Sequence, residues 1–394
     1  MSASLIFRKG LDLKHAVAGV LATSYHSDLI DRIKGNDFTY RAGRLTVQLA
    51  REFGFCYGVD RAVDYAYQTR KRFPDQRVSL TGEIIHNPHV NEKLRAMGVG
   101  FLSDSPQSID ELQPSDVVIL PAFGVTVSML QNLEARGCTL IDTTCGSVLN
   151  VWKNVRRYAD GGYTSIIHGK QWHEETRATA SHAVGYGGRY LVVLDGNETA
   201  VVCDYIRRGG ARESFLERFG GATSPAFDPD CDLERIGLAN QTTMLMSESL
   251  AIGELFKEAI RDRWGEAGLD AHFQAFDTIC SATQDRQDAV VTLLRERDVH
   301  LILVVGGYNS SNTANLARIC AASRPTFHIS DPGCLMSAEQ IRHRPIGAKD
   351  EITTSDWLPT AGPVRIGLTS GASTPDNLVG AAISRLEAFC HLDV

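Results

Sequence analysis

Short apolar runs of strand length alternate with amphipathic stretches of helix length along nearly the whole chain. The runs predict strands at Leu45–Leu49, Val78–Leu80, Val117–Leu120, Leu140–Ile141, Ser165–Ile167, Tyr190–Leu194, Ile236–Ala239, Leu301–Val305 and Val364–Leu368, with helical patterns between them. Alternation of this kind implies parallel sheets covered by helices, and such sheets hold ligands in the loops that leave the carboxyl ends of their strands. Three of those loops share one design: an apolar or aromatic run, a small or polar turn, one cysteine, then a helix. They lie around Cys56, Cys145 and Cys280, with Val59, Ala62, Val63 and Ala66 on one face of the first helix and Val148, Val151, Trp152 and Val155 on one face of the second. The second and third also share an Asp-Thr-x-Cys turn, at Asp142 and Asp277. The repeat predicts an α/β fold of three pseudo-threefold-related domains, each offering one thiol to a common centre.

A cysteine that opens a helix has its thiolate favoured by the helix dipole and the free first-turn amides, which suits metal ligation or nucleophilic work. The bland alternative is a buried small hydrophobe, a common fate of unpaired cysteine. No Cys-x-x-Cys pair occurs, which disfavours zinc ribbons and thioredoxin-like chemistry. Three thiolates without a fourth fit an iron-sulfur cluster that leaves one iron open, able to act as a Lewis acid toward a substrate oxygen.

Composition narrows the classes. With 40 Lys and Arg against 47 Asp and Glu, the net charge is −7, and no stretch is dense in basic residues, so nucleic acid is a poor partner. Hydrophobic residues at 43% and charged residues at 22% describe an ordinary globular chain. No apolar run approaches the ~18 residues of a membrane span. Nine widely spaced cysteines do not form a secreted disulfide framework, which predicts a reducing compartment. The first forty residues contain Asp12, Asp28, Asp31 and Asp37 and lack the layout of a signal or transit peptide, so a cytoplasmic location is expected, with a plastid left open.

Two further strand-end loops look built for phosphate. Residues 304–313, VVGGYNSSNT, run from a buried strand through glycines into a helix and present Ser310, Ser311 and Asn312 beside first-turn amides. Residues 369–376, TSGASTPD, repeat the scheme, with Pro375 suited to a first helical position. Either could be a plain helix cap, but together with His86 in IIHNPHV and His173 in HGKQWHEET they point to an anion pocket. One helix terminus is worth only ~0.3–1 kcal/mol to an anion, so a diphosphate would need several such donors at once.

The motifs GFCYGVDRAV, EIIHNPHVNEKL, LPAFGV, GCTLIDTTC, YTSIIHGKQWHEETRATAS, GLANQTTML, DTICSATQDRQDA, VVGGYNSSNT and LTSGASTPD, in this order over residues 27–390, resemble the 4-hydroxy-3-methylbut-2-enyl diphosphate reductase family. Phe123 in place of a His-Gly-Val histidine makes the chain most similar to the plant and cyanobacterial branch. The resemblance implies an α/β trefoil around a central 4Fe-4S cluster with one iron not ligated by protein, held by Cys56, Cys145 and Cys280. It implies a diphosphate grip from His86, His173, Ser310, Asn312 and Ser373, with Ser311 in the same loop. Glu175 would be the proton-delivering carboxylate, and Thr242 the hydroxyl that orients the substrate alcohol. The reaction implied is reductive dehydroxylation to isopentenyl and dimethylallyl diphosphates in the methylerythritol phosphate pathway, with ferredoxin or flavodoxin as electron donor. Glu174 is expected to serve the helix start alone, and His89, His168 and His182 to be structural or solvent-facing. Domain limits are expected at 1–43 for an N-terminal extension, then 44–144, 145–276 and 277–394. Gly146-Ser147-Val148-Leu149-Asn150 departs from the family's usual Pro-Trp-Val-Ser-Lys and leaves open a paralogue acting on another allylic substrate. A non-catalytic iron-sulfur redox sensor is the third reading, opposed by the presence of Glu175, Thr242 and both phosphate loops.

Overall fold

In a computed structural model describing residues 5–105, 109–276 and 278–391, each predicted strand is present, and three sheets carry them. Their shared order is the main architectural fact. In one sheet the order is Phe273–Ala275, Ile236–Asn240, Thr164–His168, Tyr190–Val193, and every neighbouring pair is parallel. A second runs Leu45–Leu49, Val364–Ser370, Leu301–Val305, Thr326–Ile329, again parallel, with Thr39–Ala42 added antiparallel at the edge of Leu45–Leu49. The third runs Thr139–Asp142, Val117–Leu120, Val78–Leu80, Val99–Phe101, with Ile6–Phe7 parallel on the outer side of Thr139–Asp142. The first strand in each of these orders is the one that leads to a cysteine. A small antiparallel pair, Gln340–His343 with Ile352–Ser355, stands apart from them.

The inner strands read as unbroken apolar runs because both of their faces are covered. Leu301–Val305 and Ile236–Asn240 are buried at every position. Leu45, Val47, Leu303, Val305, Ile366 and Leu368 pack with Val379, Ile383 and Leu386 of the helix Asp376–His391 in one core. Ile166, Leu191, Val193, Ile236 and Leu238 pack with Val202, Ile206, Ile252 and Phe256 in another.

The sheets depart from the expected linear domains. Leu45–Leu49, which leads to Cys56, pairs with Val364–Ser370 and so belongs to the sheet of the C-terminal third, not to a 44–144 domain. The first 43 residues are also more than an extension, since Ile6–Phe7 and Thr39–Ala42 each join a sheet. Parallel pairing requires only that a strand fit beside its neighbour, and no local pattern records which neighbour that is. Strands at Ile6–Phe7, Thr39–Ala42, Val99–Phe101, Phe273–Ala275, Thr326–Ile329, Gln340–His343 and Ile352–Ser355 also escape the apolar-run criterion, being short or half-exposed. Asp277, half of the expected Asp-Thr-x-Cys repeat, lies outside the described residues.

Contacts divide the chain into two units. One, including residues 79–82 and 101–280, holds Cys145, His173, Glu175, Thr242 and Cys280. The other, including 9–78, 83–100 and the chain from 281 onward, holds Cys56, His86, Ser310, Ser311, Asn312 and Ser373.

Candidate active site

Cys56 directly precedes the helix Tyr57–Arg72, Cys145 the helix Gly146–Asp160 and Cys280 the helix Ser281–Glu296. Cys56 and Cys145 occupy the cap position in extended backbone, and neither side chain makes a helix-capping hydrogen bond. The repeat extends to the backbone. Cys56 N donates to Ala372 O at 3.1 Å, Cys145 N to Ala122 O at 2.9 Å and Cys280 N to Thr242 O at 3.3 Å. In each case the acceptor is the second residue beyond the strand that lies parallel to the cysteine-leading strand: Val364–Ser370, Val117–Leu120 and Ile236–Asn240. The three cysteines are therefore fixed by the same hydrogen bond in the same place of a repeated sheet.

Exposure separates these thiols from the others. Cys56, Cys145 and Cys280 are half-buried, whereas Cys138, Cys203, Cys320, Cys334 and Cys390 are buried and Cys231 is exposed. Burial pushes the Cys203 and Cys320 thiols up to about 12, which keeps them protonated and poor as ligands. Three half-reachable thiols at the heads of helices of 15 or 16 residues fit the donor chemistry of an iron-sulfur cluster. Gly146 begins the segment that departs from the family pattern. A Cβ there would meet nothing within 4 Å, and the Cys145 anchor to Ala122 is intact.

Beside Cys280 stands the acid. Glu175, 2% exposed, lies in the first turn of the helix Glu174–Gly185, where the dipole favours a carboxylate. Its Oε1 accepts from Thr242 N at 2.6 Å and its Oε2 from Thr242 Oγ1 at 2.9 Å. Since Thr242 O receives the Cys280 amide, carboxylate, hydroxyl and cysteine backbone form one connected series. Gln241 braces it: Oε1 accepts from Lys170 N at 3.1 Å and from Thr176 Oγ1 at 3.2 Å, while Nε2 donates to Thr243 Oγ1 at 2.8 Å. Gln241 lies in the GLANQTTML motif, but its bracing role depends on Lys170 and Thr176, which are distant in sequence and leave no local signal. Glu174, by contrast, is exposed.

His173 caps this helix, with Nδ1 accepting from Glu175 N at 3.2 Å. An accepting Nδ1 places the ring proton on Nε2, so the ring is a donor at its far nitrogen. Its ring meets Phe123 edge to face at 5.8 Å between centroids.

In the second unit the phosphate loops interlock. Ser310 caps the helix Ser311–Ala321, its Oγ accepting from Thr313 N at 3.3 Å and Thr313 Oγ1 at 3.0 Å. Asn312 Oδ1 accepts from Ala372 N at 2.9 Å, which fixes the amide and leaves Nδ2 buried without a partner. A buried orphan donor is costly unless a ligand satisfies it. Ser373 Oγ donates to His86 O at 3.1 Å, and a Cβ on Gly371 would collide with Thr313 Oγ1, so only glycine lets the two loops meet. Pro375 sits one residue earlier than expected, directly before the helix that starts at Asp376, where its carbonyl accepts from Leu378 N. His86 Nδ1 lies 2.9 Å from Glu83 Oε2, a partner that sequence reasoning did not assign.

His89, His168 and His182 are each at least partly buried. His168 is fully buried on Ser249 Oγ at 2.9 Å; His182 stacks on Trp152 at 3.7 Å, and burial lowers it to about 4. Burial also lowers His89.

A family model described as LytB protein matches residues 47–387. The 4-hydroxy-3-methylbut-2-enyl diphosphate reductase of Gloeobacter violaceus is 48% identical over 393 residues, covering 98% of this chain and 93% of that protein. The enzyme of the same name from Synechococcus sp. strain RCC307 is 50% identical over 383 residues, covering 96% and 92%. A solved (E)-4-hydroxy-3-methyl-but-2-enyl diphosphate reductase, the terminal enzyme of the non-mevalonate pathway, superposes with a TM-score of 0.52 at 25% identity, covering 87% of this chain and 99% of that one. The Plasmodium falciparum E-1-hydroxy-2-methyl-but-2-enyl-4-diphosphate reductase shares the fold, with a TM-score of 0.61 at 21% identity and 86% of each chain covered.

Proposed function

The chain belongs to the LytB protein family of 4-hydroxy-3-methylbut-2-enyl diphosphate reductases, and on that premise we propose that Glu175, Thr242 and the three helix-heading cysteines carry its chemistry. The reaction removes an allylic hydroxyl: two electrons and two protons enter, one water leaves, and isopentenyl and dimethylallyl diphosphates result. Family membership implies an iron-sulfur cluster. In our reading it is a 4Fe-4S cluster held by Cys56, Cys145 and Cys280 with one iron not ligated by protein, and when bound it supplies Lewis acidity toward the hydroxyl oxygen and passes the two electrons to the allyl fragment.

The observation that carries the reading is the connected series Glu175, Thr242, Cys280. With its proton directed at Glu175 Oε2, Thr242 Oγ1 has lone pairs left to accept from the substrate alcohol and orient it. When Glu175 carries a proton the contact reverses: Oε2–H donates to Thr242 Oγ1, the Thr242 hydroxyl turns its own hydrogen to the departing hydroxyl oxygen, and a proton passes across Thr242 to it, or reaches the substrate from Glu175 directly. Burial of Glu175 and Thr242 keeps bulk water from competing for that proton.

The diphosphate is assigned to His86, His173, Ser310, Ser311, Asn312 and Ser373. Supporting it are the orphaned Asn312 Nδ2, the far-nitrogen donor of His173, and the absence of any arginine from these loops. Ferredoxin or flavodoxin is the proposed donor, as the family resemblance implies, and no Gly-x-Gly-x-x-Gly fingerprint for a nicotinamide cofactor follows a strand in the sequence.

The test is anaerobic purification with iron reconstitution, followed by product analysis with a reduced donor and 4-hydroxy-3-methylbut-2-enyl diphosphate. Formation of both isopentenyl and dimethylallyl diphosphates is expected. An iron-loaded enzyme that leaves this substrate unchanged while reducing another allylic diphosphate would overturn the substrate assignment.

A further inference from the structure

We propose that Arg344 is a positioning residue for substrate binding: its guanidinium claims the Tyr308 carbonyl, so that the loop carrying Ser310, Ser311 and Asn312 offers donors rather than acceptors to an anion. The proposal rests on the assignment of that loop to the diphosphate.

An anion is held by N–H and O–H groups and repelled by carbonyl oxygens, so a loop that grips one must engage its own carbonyls elsewhere. The loop that leaves the strand Leu301–Val305 does so residue by residue. Val305 O accepts from Gly371 N at 3.2 Å and from Thr374 Oγ1 at 3.1 Å. Gly306 O accepts from His328 Nε2 at 3.0 Å, and Gly307 O from Ser310 N at 3.0 Å. Tyr308 O accepts from Arg344 Nη2. Every carbonyl from 305 to 308 is therefore taken, and the last of them depends on a charged side chain from a distant segment.

Arg344 directly follows the strand Gln340–His343 of the small antiparallel pair, and its own amide donates to His328 O at 2.9 Å. Residues 328 and 344 are thus joined through the backbone, and each sends a side chain to the loop. The guanidinium also lies over the Tyr308 ring, 4.6 Å from its centroid, while the His328 ring meets Tyr308 edge to face at 4.9 Å. Tyr308 Oη donates to Glu351 Oε1 at 2.7 Å, and Glu351 Oε2 lies 3.4 Å from Arg342 Nε. The antiparallel pair, which stands apart from the three main sheets, is in this way the support of the phosphate loop.

The other end of the loop is fixed by packing. Gly306 has φ +149°, and a Cβ there would fall 2.5 Å from Thr374 Oγ1 and 2.8 Å from Thr313 Oγ1. Loss of the Arg344 guanidinium leaves Tyr308 O without its donor and releases the peptide plane that leads through Asn309 to Ser310. The cost should appear in anion affinity rather than in the chemical step.

The experiment is calorimetric titration of inorganic pyrophosphate into the anaerobic iron-loaded enzyme, with KM, kcat, iron per chain and urea midpoint. The variants are Arg344→Met, Arg344→Lys, Arg342→Met, Asn312→Ala and the double variant Arg344→Met/Asn312→Ala. Methionine keeps an unbranched apolar cover on Tyr308 and removes the donors; lysine restores a charged donor. Arg344→Met should weaken pyrophosphate binding and raise KM roughly tenfold, with kcat changed less than about threefold and iron at the wild-type level. Arg344→Lys should lie within about threefold of wild type. Arg342→Met, which removes the same charge from the same strand without touching the loop, should change affinity less than about twofold. In the Asn312→Ala background the Arg344→Met cost should shrink to less than about threefold. Wild-type pyrophosphate affinity in iron-loaded Arg344→Met, equal losses in the Met and Lys variants, equal losses in Arg342→Met and Arg344→Met, or full additivity in the double variant would each overturn the proposal. Wild-type pyrophosphate affinity in Asn312→Ala would instead overturn the assignment of the loop to the diphosphate.

Discussion

Replacement of Glu175 by Gln separates proton delivery from binding and folding. Thr242 N–H can only donate, so the new amide must turn its oxygen to that group and its nitrogen to Thr242 Oγ1, which has to swing its own proton away to accept. Two hydrogen bonds to a charged acceptor, worth ~1.5–3 kcal/mol each, become neutral ones worth ~0.5–1.5 kcal/mol, so stability should fall by roughly 2–3 kcal/mol. Turnover should fall by ~10² to 10⁴, the usual contribution of a positioned acid, or about 3–5 kcal/mol in the barrier. The reversed Thr242 hydroxyl still meets a substrate alcohol, now as donor, so affinity should hold within about threefold. Anaerobic single-turnover and steady-state rates, calorimetric binding of the substrate and a denaturant midpoint measure the three quantities on one preparation. Glu174→Gln is the control, because Glu174 opens the same helix yet is exposed. Turnover of Glu175→Gln within threefold of wild type would refute the proton role, and loss confined to Glu174→Gln would show that the functional acid is its neighbour.

Three further outcomes follow from the same contacts. Ser373→Ala should weaken pyrophosphate or substrate binding by roughly 1–3 kcal/mol, since the hydroxyl both sits in the assigned loop and holds His86 O; calorimetric titration checks it. Gly124→Ala should destabilise the protein by roughly 2 kcal/mol or more, measured as a shift in urea midpoint, because Gly124 has φ +75° and its Cβ would collide with the Trp152 ring. His328, buried with Nε2 3.0 Å from Gly306 O, is lowered by burial from 6.5 to about 4. The unfolded chain therefore takes up its proton first, so the stability that neutral His328 contributes is full above pH 6.5 and is lost as pH falls toward 4, by roughly 3 kcal/mol in all. Denaturant midpoints between pH 7 and pH 4 should show that loss in wild type and a smaller one in His328→Gln.

What the sequence made legible was whatever is written locally. Leu301–Val305 is apolar at every position because both faces are covered, so its strand is visible as a run. The cysteine repeat is visible because turn, thiol and helix start adjoin one another in the chain. Pairing is different. Leu45–Leu49 lies beside Val364–Ser370 across more than three hundred residues of sequence, and nothing near either strand names the other. The same holds for the Ala122, Thr242 and Ala372 carbonyls that anchor the cysteines, which are backbone atoms and leave no mark in residue type. Glu83 and Gln241 stand in the motifs EIIHNPHVNEKL and GLANQTTML, yet their partners Asn309 and Thr176 come from distant stretches of the chain.

The central claim is that Cys56, Cys145 and Cys280, equivalent positions of a repeated sheet, are the protein's iron ligands. Iron per chain, measured after anaerobic reconstitution of folded single-serine variants at these three positions and single-alanine variants at Cys138, Cys203 and Cys320, tests it most directly. The account predicts loss of most iron and of the associated visible absorbance in each of the first three, and wild-type iron in each of the others. Wild-type iron in any one of Cys56→Ser, Cys145→Ser or Cys280→Ser, or equal loss in a folded variant of a buried cysteine, would contradict it.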